Sequence, residues 1–183
     1  MDLVLLKPGD PNLEGSSLID GTVVGANSEE LSGCIELVSM HFGMKQQITT
    51  DVSNTARTSG RPHLNDITLV KYFDKTSPLL YKHCLTAKPI GAGGETSKIF
   101  ILRNSNDDSG NSVIGNILTI ELTNAIVSAI ETQSHPNDMT TEQFTLNFTE
   151  IKWTYTKQSS EGARWVRFTP TKLGQSGSEF NRR

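Results

Sequence analysis

The 183-residue chain holds only two cysteines, Cys34 and Cys84. That is too few for a disulfide framework and suits two small hydrophobic side chains in a reducing compartment. Long apolar runs are missing too. Leu3-Val4-Leu5-Leu6 and Ile99-Phe100-Ile101-Leu102 are among the longest, far short of the ~20 residues of a membrane-spanning helix. Met1-Asp2 leads quickly to Pro8-Gly9-Asp10, with no basic segment, apolar stretch or cleavage site, so no secretory signal is expected. Positive charge is not in excess: 17 Lys and Arg face 20 Asp and Glu, for a net charge of −3. A global basic field for nucleic acid or an anionic membrane is therefore absent.

The residues that mark enzymes are present but not arranged for chemistry. Gly91-Ala92-Gly93-Gly94-Glu95-Thr96-Ser97-Lys98 has glycines and a lysine without the phosphate-loop order, and reads as a turn. His83 and Cys84 are helix neighbours whose side chains diverge by about 100°. His41, His63 and His135 stand far apart, without metal-ligand spacing. Glu142 and Glu150 are two acids with nothing further to mark a glycosidase pair, and the sequon Asn147-Phe148-Thr149 lies within a strand pattern. Arg164-Trp165-Val166-Arg167-Phe168 interleaves bases with aromatics but is short, and reads as an amphipathic edge strand. No catalytic residue, cofactor site or metal site is expected.

What remains is β structure. Twenty threonines fit sheets with one face in water. Alternation predicts strands over 33–40, 63–73, 97–103, 117–131, 142–156 and 164–169. The 117–131 strand sets Leu118, Ile120, Leu122, Ile126 and Ile130 against Thr119, Glu121 and Thr123. In 142–156 the phase slips between Thr149 and Glu150, the mark of a bulge or corner. Asn104–Asn111 reads as a turn. One helix is predicted around Ser77–Ala87, with Ser77 as N-cap, Pro78 at the first helical position and an apolar stripe of Leu79, Leu80, His83, Cys84 and Ala87. Gly43 to Pro62 is a polar stretch too long for an ordinary connection, and therefore functional or disordered. The pattern predicts a single domain over 1–183: a mainly β, antiparallel barrel or two-sheet sandwich with one helix packed alongside. Its core covers about 33–156, with a polar tail at about 173–183. Charge is uneven. Residues 1–30 carry six acids against Lys7, a net of −5; from Glu161 onward five bases face two acids, a net of +3.

Four stretches together carry a resemblance to a known family: Ile35-Glu36-Leu37-Val38-Ser39; Val70-Lys71-Tyr72-Phe73-Asp74-Lys75-Thr76-Ser77-Pro78-Leu79-Leu80, with its K-x-x-D-x-x-S-P-x-L pattern; Leu122-Thr123-Asn124-Ala125-Ile126-Val127-Ser128; and Glu142 through Tyr155. In order and rough spacing, from Cys34 to Tyr155, the chain resembles the haemolysin-coregulated proteins (Hcp), tube-forming proteins of the bacterial type VI secretion system. The N-terminal stretch 8–32 and the segment after Tyr155 depart from that pattern.

The resemblance implies a hexameric ring that stacks into a hollow tube inside a contractile sheath. The tube is tipped by a valine-glycine repeat spike protein and carries effector cargo in its lumen. It implies assembly in the bacterial cytoplasm and expulsion to the extracellular space or a target cell without a signal peptide. The long loop is then a candidate contact between subunits, through Gln46, Gln47, Thr50, Asp51, Arg57 and Arg61. A water-filled lumen needs polar walls, for which Thr119, Glu121 and Thr123 on one strand and Thr145 and Asn147 on another are candidates. A ring needs two different, complementary patches per subunit. The competing readings are a tail-tube protein of another contractile injection machine and a monomeric β-barrel binding module, which would need a pocket of converging polar groups.

Overall fold

The computed structural model describes residues 2–15, 31–48, 62–91, 94–106, 112–134, 136–157 and 164–168. Among them are twelve strands and one α-helix: β1 (Asp2–Lys7), β2 (Ile35–Leu37), β3 (Ser39–His41), β4 (Met44–Lys45), β5 (His63–Leu64), β6 (Ile67–Tyr72), α1 (Ser77–Thr86), β7 (Ser97–Asn106), β8 (Ser112–Thr123), β9 (Ile126–Gln133), β10 (Thr141–Asn147), β11 (Glu150–Lys157) and β12 (Arg164–Phe168). A six-stranded sheet runs β12-β11-β8-β7-β1-β2, a four-stranded sheet runs β3-β6-β10-β9, and β4-β5 forms a two-stranded arm. Among the described residues the strands all pair antiparallel. This is the mainly β, one-helix fold expected.

Period-2 alternation decides which face each strand buries. Leu6, Ile99, Ile120, Leu122 and Ile151 of the large sheet meet Ile67, Leu69, Val127, Phe144 and Leu146 of the small one in one core. Leu80 of the helix joins it, as does Leu13. The other face of the large sheet has a smaller core of its own, where Leu31 and Cys34 lie on Leu5, Phe100 and Leu102.

Three differences from the sequence reading have local causes. The predicted single strand 117–131 is two strands in different sheets, β8 and β9. Between them Asn124 adopts a left-handed φ of 54°, a conformation Asn tolerates better than most residues. The phase slip at Thr149/Glu150 is the matching corner. β10 ends in the small sheet and β11 begins in the large one, and the Thr149 N–H and hydroxyl both donate to the Thr123 carbonyl at 3.1 Å, tying one corner to the other. The turn expected at Asn104–Asn111 is shorter, because β7 continues through Asn106 and β8 starts at Ser112, with Ser105 opposite Val113. β1, which lies outside the expected strands, is the second strand from the large sheet's edge, paired on both sides.

The helix is capped differently from expectation. Thr76, not Ser77, is the N-cap residue, and its side chain makes no capping bond. The chain turns into the helix through Asp74, whose Oδ1 accepts from the Thr76 N–H at 2.8 Å, an Asx turn. At the far end Ala87 takes φ 49°, and the Ala87 and Lys88 N–H groups donate to the Cys84 and His83 carbonyls. That is a left-handed cap of the kind glycine usually supplies. The glycine-rich run is structural at Gly91. A Cβ there would stand 2.0 Å from the Glu95 carbonyl oxygen, so only glycine fits the close approach.

Candidate functional site

The K-x-x-D-x-x-S-P pattern folds into a buried ionic knot. Lys71, on β6, is fully buried. Its Nζ lies 2.8 Å from Glu142 Oε1, 2.7 Å from Asp74 Oδ1, 3.1 Å from Ser77 Oγ and 3.0 Å from the Tyr72 carbonyl. Ser77 donates its hydroxyl to Glu142 Oε1 at 2.7 Å and accepts from the Asp74 N–H at 3.0 Å. The serine expected to cap the helix instead fastens the helix start to β10. Burial alone would raise the Asp74 carboxyl, but hydrogen bonds from Lys71 and Thr76 outweigh it and hold it below the usual carboxylate range. The triplet spacing of Lys71, Asp74 and Ser77 was visible in the sequence. Their convergence on Glu142 was not, because that contact spans 65 positions. Lys71, Ser77 and Glu142 are all buried, and Asp74 is partly exposed. The chemistry of the cluster is that of a clamp joining β6, β10 and α1.

A second clamp holds the N-terminal segment to the C-terminal end of the helix. Asp10 is 2% exposed. Its Oδ1 accepts from the Asn12 N–H and Nδ2, and its Oδ2 lies 3.2 Å from Lys88 Nζ and 4.0 Å from His83 Nε2. The Asn12 N–H, assisted by Lys88 and against the effect of burial, holds the Asp10 carboxyl below its ordinary range. The Asp10 N–H donates to the Ile90 carbonyl at 2.8 Å. His83, on the expected apolar stripe, is buried with Nδ1 at 3.1 Å from the Lys88 carbonyl.

The polar strand positions proposed to line a lumen fall on two surfaces. Thr119, Glu121 and Thr123 lie on the outer face of the large sheet; Thr145 and Asn147 lie on the outer face of the small sheet, so the two sets face away from each other across the shared core. Thr119 is buried and accepts from Asn116 Nδ2 at 2.7 Å. Glu121 is half-buried, bonded to Lys152 and 4.0 Å from Lys98. On the small sheet Ser128 donates to Asp66 Oδ2 and lies 2.8 Å from Thr145 Oγ1, while Asn147 Nδ2 donates to Asp66 Oδ1 at 2.8 Å. Ser128 sits where the β9–β10 register shifts. Around these, Thr68, Val70, Glu131, Gln133, Thr141 and Gln143 occupy the same face by register, which holds a groove of about 390 Å³. Among the described residues no group of three or more His, Cys, Asp or Glu is placed to hold a metal.

Of the candidate loop residues, Gln46 and Gln47 are exposed just beyond β4. Thr50, Asp51, Arg57 and Arg61 lie outside the described residues. The basic-aromatic run Arg164–Phe168 forms β12, at an edge of the large sheet. Glu142, one of the two acids weighed as a glycosidase pair, is committed to the Lys71 clamp.

Comparison with known proteins bears on this geometry. A type six secretion system protein has a similar solved structure, with 16% identity, 95% of this chain and 93% of that one covered and a TM-score of 0.68. Hcp1 from Salmonella typhimurium superposes with 17% identity, coverage of 92% and 94% and a TM-score of 0.60. A type VI secretion system effector from Yersinia pestis does so with 18% identity, coverage of 91% and 99% and a TM-score of 0.57. No curated protein matches the chain significantly in sequence. The profile of the family described as type VI secretion system effector, Hcp, matches residues 12–155. By that match, spanning the core strands and the helix, the chain belongs to the Hcp family of the type VI secretion system.

Proposed function

We propose that this chain is the tube subunit of a type VI secretion system, working as a hexameric ring whose inner wall is the outer face of the β3-β6-β10-β9 sheet. One observation carries the choice of face. That face is open and mainly polar, with Thr68, Gln143, Thr145 and Asn147 set around Val70 and Ala129, whereas the large sheet's outer face is partly covered by Leu31 and Cys34. A conduit wall needs hydrogen-bonding groups that stay hydrated and few apolar groups to hold cargo. In this reading Thr145 and Asn147 face the lumen, and Thr119, Glu121 and Thr123 face away from it, toward a contractile sheath.

The dimensions are consistent with transport. Four strands spaced about 4.8 Å apart span about 19 Å, and six such sheets edge to edge give a circumference of about 115 Å and a bore of about 37 Å. A folded domain of about 100 residues has a radius of gyration of about 13 Å, hence a diameter of about 34 Å, so once the wall side chains are subtracted the bore admits a smaller domain or an extended chain. Expulsion of stacked rings behind a valine-glycine repeat spike would deliver that cargo without a signal peptide. The chain's contribution is mechanical, and the two clamps at Lys71 and Asp10 brace the ends of the helix.

Native mass spectrometry of the purified protein tests the ring. A dominant species of hexamer mass is expected. A monomer as the only species at tens of micromolar would contradict it.

A further inference from the structure

Side chains on the open face of the four-stranded sheet stand in rows across its strands. Val70 lies opposite Gln143, and Gln143 opposite Glu131. One step along, Tyr72 lies opposite Thr141, and Thr141 opposite Gln133. Directly opposite side chains are about 5 Å apart, so each row crosses about 10 Å. Except for Tyr72, these residues line the groove of about 390 Å³. That volume is at the small end of ligand sites and suits one long side chain rather than a folded surface. Charge on the face has one sign. β6, β9 and β10 together contain a single Lys or Arg, Lys71, and it is buried in the clamp. The carboxylates on the face are Asp66 and Glu131. Asp66 accepts from Ser128 and Asn147. Glu131 is exposed, and among the described residues nothing pairs with its carboxylate.

We infer that this groove is a subsite for an arginine side chain of a basic cargo protein. Val70 supplies an apolar wall for the methylene stem. The Gln143 side-chain carbonyl and the Glu131 carboxylate, neighbours in one row, supply acceptors for the guanidinium. A guanidinium fork matches a carboxylate with two parallel hydrogen bonds, and an ammonium does not. Tyr72, 47% exposed and two residues beyond Val70, adds an aromatic ring beside the groove on which a cation can rest. The groove belongs to one subunit; its meaning for cargo rests on the ring reading. Six copies would set about twelve carboxylates around the bore, and a cavity lined with one sign of charge concentrates the opposite sign. The outer face of the large sheet differs, because there Glu121 is matched by Lys152 and Lys98. A single hydrated ion pair of this kind is weak. Repetition around the ring holds basic cargo by avidity while each contact stays free to exchange, which suits a conduit that must also let its cargo go.

Fluorescence anisotropy with two labelled peptides tests the subsite. One alternates Gly and Arg; the other replaces each Arg by citrulline, its neutral isostere. The arginine peptide is expected to bind the purified protein at least about tenfold more tightly at low salt, and to lose that advantage as salt rises. Glu131→Gln should weaken arginine-peptide binding about fivefold, the size of one well-placed exposed ion pair. Glu36→Gln removes the same charge from an exposed position on β2, in the large sheet, and should leave binding unchanged. Equal binding of the two peptides, or equal losses from Glu131→Gln and Glu36→Gln, would overturn the subsite. Native mass spectrometry of the same samples separates this from the ring reading. Hexamers that fail to distinguish the peptides overturn the subsite and leave the ring standing. Monomers that bind the arginine peptide through Glu131 uphold the subsite and overturn the ring.

Discussion

Lys71 carries the largest single-residue consequence. A buried ammonium held by two carboxylates is costly to break from one side, because removing the lysine strands Glu142, whose Oε2 has no donor among the described residues, in a buried site. Lys71→Met should destabilise the fold by about 3–5 kcal/mol in urea melts. Lys71→Met combined with Glu142→Leu should recover much of that loss, and strictly additive losses would show the pair to be uncoupled. Asp10 gives a pH signature. Its folded pKa lies below the ordinary 3.8, so its contribution is present above that value and is lost as pH falls through the folded pKa. Melting temperature should therefore fall with acid below about pH 4, and Asp10→Asn should flatten that part of the profile while lowering stability at neutral pH. The same residues show what sequence could disclose. Lys71, Asp74 and Ser77 stand at a regular triplet spacing and mark a helix entry, yet their fourth partner is a strand away. The helix stripe placed His83 on the buried face, but nothing local pointed to Asp10, 73 positions earlier, as its neighbour.

Elements were legible where side chains alternate and obscure where the backbone alone decides. The strand patterns at 63–73, 97–103 and 142–156 became β6, β7 and the β10–β11 pair, and the phase slip at Thr149 became a true corner. The corner at Asn124 stayed hidden because the apolar alternation of the sequence runs straight through it; Ile126 shares the parity of Leu122, yet past the corner it is Val127 that enters the core. β1 was opaque for another reason. Buried on one face by the main core and on the other by Leu31 and Cys34, it reads as a continuous apolar run rather than an alternation. The helix C-terminus yields a prediction at this scale. Ala87→Gly relieves the left-handed strain at φ 49° and should stabilise by up to about 1 kcal/mol, read as a raised melting temperature. Gly91→Ala should do the reverse, since its methyl would collide with the Glu95 carbonyl. Phe42, leaving β3, packs on Trp153 of β11 with ring centroids 5.8 Å apart. Trp153→Ala should therefore loosen the base of the arm as well as the core, at a cost of about 3 kcal/mol.

For the whole molecule, polarity has a single direction. The sandwich has one outer face that is open and mainly polar, another that is partly roofed, one end with an apolar arm and an opposite end with an apolar patch. The polar strand faces were legible in the sequence but not their opposition, because parity tells sides of a strand and not sides of a molecule. A subunit with distinct inner and outer faces and distinct ends is suited to a closed ring that stacks in one sense. On this account, charge changes at Gln143 or Asn147 alter what the lumen admits and leave the rings intact, which size-exclusion chromatography of Gln143→Lys would check.

Cryo-electron microscopy of the purified protein addresses the central claim most directly. The account predicts a closed six-fold ring with Thr145 and Asn147 on the inner wall and Glu121 on the outer surface. Rings lined by the β11-β8-β7 face, or particles with no closed circular arrangement, would contradict it.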